Sequence, residues 1–177
     1  SDNTASYDGG GIYNYSGTLD LTTGTTVSNN TASSDGGGIY NYYGSLTSTD
    51  ATVGGDSAGN SASNSGGGIY NNDGTLTLDN TRVEDNEAVS YGGGIYNSGS
   101  SGYSSILQNS TIIFNNRSTS SSGGGGGIYN NSSGYLTLDS TTVLGNTASS
   151  DGGGIYNDDG SLTLDNTRVE DNEAVSY

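Results

Sequence analysis

Residues 66–91 read GGGIYNNDGTLTLDNTRVEDNEAVSY, and residues 152–177 repeat that line with two changes, Asn72 to Asp158 and Thr75 to Ser161. Its opening phrase, Gly-Gly-Gly-Ile-Tyr-Asn, occurs six times, with isoleucines at Ile12, Ile39, Ile69, Ile95, Ile128 and Ile155. The steps between them are 27, 30, 26, 33 and 27 residues. A period in that range marks stacked repeats, each a supersecondary unit too small to hold a core alone.

Within the unit, apolar and polar residues alternate through Gly68-Ile69-Tyr70, Leu76-Thr77-Leu78 and Arg82-Val83-Glu84. That is the period of two of half-buried strands, and no helical period competes with it. Turn residues follow each run: Asn71-Asn72-Asp73-Gly74, Asp79-Asn80 and Asp85-Asn86. The reading is three strands and three corners per coil, stacked as an all-β, parallel β-helix of about six coils of 26–33 residues that spans residues 1–177 as one array. At the spacing of β-strands, about 4.8 Å, six rungs make a prism on the order of 29 Å long.

The inward columns follow from the phase: the six isoleucines; Leu19, Leu46, Leu76, Ile106, Leu136 and Leu162; and Val27, Val53, Val83, Ile113, Val143 and Val169. Asparagine forms two more, Asn14, Asn41, Asn71, Asn97, Asn130 and Asn157 after the tyrosines, and Asn30, Asn60, Asn86, Asn116, Asn146 and Asn172 after the valines. Asparagine suits a left-handed corner, and its amide can donate to and accept from the next rung. The fourth coil is irregular, because Ile106-Leu107-Gln108 puts glutamine in the core unless the register slips by one. Both ends stop in mid-coil without a cap, which reads as a slice of a longer array or as a fibre subunit associating end to end.

The chain is 28% hydrophobic, with 32 glycines, and contains no Pro, Cys, Met, Trp, Lys or His. Such a composition alone suits disorder, but disordered tracts do not keep leucine and valine in phase over six copies. The formal net charge of -16, with only Arg82, Arg117 and Arg168 as cations, repels nucleic acid and anionic lipid. The longest apolar run is Ile112-Ile113-Phe114, far too short to insert in a membrane as a helix. Lack of cysteine fits an extracellular or cell-surface setting.

An active site needs residues that occur once, whereas most acidic residues here recur in phase. Without His, Lys or Cys, nucleophile activation has few players, and the chain reads as no enzyme. Paired carboxylates at Asp158-Asp159 or near Asp56 are what an acid-base reading would use. For a metal, Asp79 or Asp165 with Asp85 or Asp171 could bracket Ca2+ from neighbouring corners; no other cofactor is implied. If isoleucine points inward, Tyr13, Tyr40, Tyr70, Tyr96, Tyr129 and Tyr156 point outward and stack into an aromatic stripe, suited to surface glycans or to packing against another surface. A threonine column suited to ordering water would run through Asp20, Thr47, Thr77, Leu107, Thr137 and Thr163, without the double row that function needs. Asn-x-Ser/Thr sequons stand at Asn14, Asn29, Asn109, Asn116, Asn130 and Asn131, about as many as chance gives in so Asn- and Ser/Thr-rich a chain.

The phrase GGGIYN, followed by GTLTLDNT and VxxN, resembles the repeats of secreted and cell-surface β-helix proteins, among them the polymorphic outer-membrane protein group. The resemblance implies a right-handed β-helix of the pectin-lyase-like type and a role as surface adhesin, passenger or stalk. The catalytic lysine of polysaccharide lyases on that scaffold has no counterpart here, and no catalytic residue carries over.

Overall fold

A computed structural model describes residues 2–55, 59–99 and 102–175; Asp56 lies outside them. Its elements are strands of two to five residues, all paired in parallel. They form a β-solenoid of about six turns, with four sheets running along its length rather than the three expected. In the third coil the strands are Ile69–Asn72, Thr75–Asp79, Arg82–Glu84 and Glu87–Ala88. The fourth is the one that apolar periodicity could not show, because its inward residue is only an alanine.

Each sheet keeps one residue type per column. Ile69 pairs with Ile39 and Ile95, Tyr70 with Tyr40 and Tyr96, and Asn71 with Asn41 and Asn97. The buried core holds Ile39, Ile69, Ile95 and Ile128, Leu46, Leu76 and Leu136, and Val53, Val83, Ile113 and Val143. A second leucine column, Leu78, Leu107 and Leu138, points inward at the far end of the Leu sheet. The inward Ala32, Ala62, Ala88 and Ala148 let the fourth sheet lie close to that core.

The fourth coil takes the slipped register. Ser105 stands in line with Leu76 and Leu136, Ile106 with Thr77 and Thr137, and Leu107 with Leu78 and Leu138. Ile106 therefore leaves the inward column expected of it, and the water-ordering column holds Ile106 where Leu107 was expected. Gln108 pairs with Asp79 at the sheet's end, outside the core. Ser105 is kept in the core by its hydroxyl, which donates to Asn97 Oδ1 at 2.6 Å and accepts from Asn71 Nδ2 at 3.3 Å.

The four corners use three devices, one of them twice. After the Ile sheet, asparagines form a ladder: Asn41 Nδ2 donates to Asn71 Oδ1 at 2.7 Å and to the Gly44 carbonyl at 3.2 Å. After the Leu sheet, threonine hydroxyls reach back one coil, Thr111 Oγ1 to Leu78 O at 3.1 Å and Thr141 Oγ1 to Leu107 O at 3.0 Å. After the Val sheet runs the second asparagine ladder. Asn60 Nδ2 donates to Asn86 Oδ1 at 2.9 Å and to Val27 O at 2.8 Å, while its Oδ1 accepts from the backbone and side-chain nitrogens of Asn30. Both donors and both lone pairs of that amide are thereby used, which is what burial requires of it.

The ladder asparagines are not the left-handed residues of their corners, contrary to the expectation above. Positive φ falls instead on Asp73, two residues beyond Asn71, and on Asp85, next to Asn86. The fourth corner is the glycine triplet. In the second coil Gly36 has φ of 67°, a Cβ on Gly37 would lie 2.5 Å from Gly67 O, and one on Gly38 would lie 2.6 Å from Gly68 O. The first glycine is needed for its backbone angle and the other two for the closeness of the next coil.

Candidate functional site

The outward side chains of the Ile sheet carry the chemistry that one-off contact could use. All six tyrosines of the phrase stack, with ring centroids 5.0, 5.0, 4.6, 5.4 and 5.3 Å apart in chain order and interplanar angles of 13° or less. That spacing is the rung spacing, so the ladder follows from the parallel register. Stacking turns the ring faces toward one another and leaves edges and hydroxyls outward. The stripe is not uniformly exposed either: Tyr13 is 53% accessible and Tyr129 only 6%. Burial raises the phenol pKa of Tyr40, Tyr70, Tyr96 and Tyr129 above the ordinary value.

Two departures from regularity give this face its detail. Toward the first coils, Tyr15, Tyr42 and Tyr43 add a second aromatic cluster in which rings are tilted, Tyr42 lying 4.2 Å from Tyr43 and Tyr15 5.7 Å from Tyr42. Tyr15 and Tyr43 are exposed. Toward the last coils, Tyr91 leans onto Tyr129 at 4.6 Å and 44°. Tyr129 donates its hydroxyl proton to Asp158 Oδ2 at 2.7 Å, and Asn131 Nδ2 donates to the Tyr96 hydroxyl at 2.7 Å. Tyr91, Tyr129, Tyr156, Asp151 and Asp158 line a notch of about 140 Å³ with Ser122, Gly123 and Gly124. The tyrosine phrase is legible in sequence, whereas the notch is not, because it depends on which corner lacks a side chain.

Several acidic side chains accept hydrogen bonds from the same corner of the following coil. Asp35 Oδ1 accepts from Ser65 N and Asn64 Nδ2, both at 2.9 Å; burial raises its pKa, opposed by the hydrogen bond from Ser65. Asp79 and Asp85 stand at the two corners flanking the strand Arg82–Glu84. Asp79 Oδ2 accepts from Gln108 and Asn109, each at 3.0 Å, and Asp85 accepts from Asn115. Asp165 and Asp171 hold the equivalent positions in the last coil and are exposed. Among the described residues no three His, Cys, Asp or Glu side chains gather to hold a metal ion. Asp158 and Asp159 are adjacent at a corner, where only Asp158 joins the notch.

The sequons divide by burial. Asn116 and Asn130 are buried with their amides donated along the ladders, and Asn14 donates to Asn41 Oδ1. Asn29 and Asn109 are exposed, and Asn131 is half-buried under Tyr96.

Two stretches, residues 24–42 and 140–158, match the model of the Chlamydia polymorphic membrane protein repeat. Both run from the Val strand through an asparagine of the second ladder, the inward alanine and the glycine triplet to the Ile strand, so the similarity covers the stacking residues of two coils. No curated protein and no solved structure matches the chain.

Proposed function

We propose that this chain is an extracellular structural and adhesive element, a surface stalk or the subunit of a self-assembling fibre, with no catalytic role. The observation that carries the reading is the second asparagine ladder, which runs unbroken from Asn3 to Asn172 with every Nδ2 to Oδ1 step between 2.8 and 3.0 Å. Such a ladder ties each coil to the next and serves rigidity rather than turnover. The matched repeat family is associated with the outer membrane and cell surface, which supports the location. Because each coil offers the next the same donors and acceptors, a second copy could continue the same stack. Protease shaving of intact source cells tests the location: peptides of this chain are expected in the supernatant, and their recovery only after lysis would overturn it. Sedimentation with electron microscopy separates stalk from fibre, a fibre showing an axial repeat on the order of 29 Å.

A carbohydrate-binding surface is the second reading, favoured by the tilted Tyr15, Tyr42 and Tyr43, whose rings, unlike those of the ladder, are not stacked face to face. Glycan arrays with the Tyr15→Ala, Tyr43→Ala double variant test it. Calcium at Asp79 with Asp85, or Asp165 with Asp171, is tested by titration calorimetry.

A further inference from the structure

Among the six ladder rings Tyr129 alone is buried, at 6% accessible. It lies between Tyr96 at 5.4 Å and Tyr156 at 5.3 Å, both nearly parallel to it, with Tyr91 tilted across it at 4.6 Å. Its hydroxyl donates to Asp158 Oδ2 at 2.7 Å. The last coil alone places a carboxylate there: the position after the ladder asparagine holds Tyr15, Tyr42, Asn72, Ser98 and Asn131 in the preceding coils. In the adjoining pair the polarity is reversed, Asn131 Nδ2 donating to the Tyr96 hydroxyl at 2.7 Å. Asp158 is also one of the two residues by which 152–177 departs from its near-copy 66–91, where Asn72 stands.

We infer that Tyr129 and Asp158 form a one-electron redox centre, in which the phenol gives its electron to an external oxidant and its proton to the carboxylate. The oxidant is a one-electron acceptor of high potential, such as a ferryl haem or a peroxyl radical. In the step the electron leaves through the stacked rings, the Tyr129 O–H bond breaks, and a new O–H bond forms at Asp158 Oδ2. The products are a neutral phenoxyl radical and a neutral carboxylic acid. An electron from an enediol or thiol reductant, with the proton returned by Asp158, restores the pair. The 2.7 Å separation is within reach of direct proton transfer. Loss of the electron alone would leave a radical cation on a buried ring, which is costly, and passing the proton to Asp158 removes that charge. A net charge of -16 further favours the loss of an electron. Burial, with the carboxylate beside it, raises the phenol pKa, so the proton stays until the electron goes. A radical on Tyr13, 53% accessible, can couple with another chain, whereas the enclosed Tyr129 ring is kept from such encounters. The centre does not depend on whether the chain is a stalk or a fibre.

The experiment oxidises the full chain with photogenerated tris(bipyridine)ruthenium(III) at fixed ionic strength and follows the phenoxyl radical by transient absorption and by electron paramagnetic resonance of frozen samples. N-acetyltyrosinamide is the solvent-exposed comparison. The parent chain is expected to hold a phenoxyl radical that lives at least about tenfold longer than that of the free amide. Asp158→Asn installs the residue that the near-identical coil already carries as Asn72, so the fold is kept while the proton acceptor is lost. In this variant the long-lived radical should decay at least about tenfold faster, and cross-linking between chains through the exposed Tyr13, Tyr15 and Tyr43 should rise, read as dityrosine fluorescence. Tyr129→Phe keeps a ring in the stack and should abolish the long-lived signal. A parent radical that decays as fast as that of the free amide overturns the assignment without recourse to any variant. Undiminished lifetime in either variant, with the far-ultraviolet spectrum of the parent, would overturn it as well.

Discussion

A buried asparagine is costly unless all of its amide is used, and here the stacking of identical coils supplies the partners. Asn86 shows the arithmetic: it donates to Asn116 Oδ1 and Val53 O and accepts from the backbone and side chain of Asn60. Removing the amide would strand groups on both neighbouring coils, so the ladder cannot be trimmed at one rung without loss at three. Ser118 is the converse. It occupies the alanine column, with Ala88 and Ala148 as neighbours, and its Oγ is buried without a hydrogen-bond partner. Ser118→Ala is therefore expected to stabilise the fold by about 1 kcal/mol, by removing an unpaired hydroxyl from a site already shaped for a methyl group. Urea denaturation would show it as a higher midpoint at constant slope. An unchanged or lower midpoint would mean that the hydroxyl is satisfied in solution.

At the scale of a strand, the fourth coil shows where pattern reading ends. Ser105-Ile106-Leu107-Gln108 fits two registers by hydrophobicity, and the choice is made by the hydrogen bond from Ser105 to Asn97, which no apolar pattern expresses. The same limit hid the fourth sheet, whose Thr-Ala and Ser-Ala pairs carry no apolar alternation, and the threonine ladder, whose hydroxyls reach the preceding coil. The isoleucine, valine and asparagine columns were legible because each repeats one distinctive residue at a fixed phase. The tyrosine column was legible for that reason too, while the notch beside it depends on the missing side chain of Gly124. Register has a direct test. Leu107→Thr buries a hydroxyl and loses apolar contact, an expected cost of about 3 kcal/mol, whereas Ile106→Thr restores the residue of the adjoining coils and should change stability by less than about 1 kcal/mol. The opposite order of the two midpoints would restore the unslipped register.

The tyrosine ladder makes a second prediction at this scale. Burial holds the phenols of Tyr40, Tyr70, Tyr96 and Tyr129 protonated above the ordinary value of about 10. Above that pH the unfolded chain releases protons that the native chain keeps, so stability is complete below about pH 10 and falls as pH rises beyond it. A spectrophotometric titration should show Tyr40, Tyr70, Tyr96 and Tyr129 ionising only well above pH 10, together with loss of β-structure. Ionisation of all 14 tyrosines in one step near pH 10 with the fold intact would contradict the burial of the ladder.

Over the whole molecule, a solenoid distributes stability as a sum of coil and interface terms, so the same residue should count differently according to how many coils cover it. The near-identity of residues 66–91 and 152–177 supplies a comparison in which sequence context is held constant. Val83 and Val169 both sit in Thr-Arg-Val-Glu-Asp-Asn, yet Val83 is fully buried between coils and Val169 is 46% exposed. Val83→Ala removes two methyl groups from a packed column and should cost about 2 to 3 kcal/mol, while Val169→Ala in the 177-residue chain should cost less than about 1 kcal/mol. If further coils are stacked onto the last one, by end-to-end association, Val169 becomes as covered as Val83 and the two costs converge. Measuring both variants by urea denaturation at low and high protein concentration thus reports assembly as well as packing: a gap that closes with concentration indicates a stack that grows, and a constant gap indicates that the chain remains a single prism.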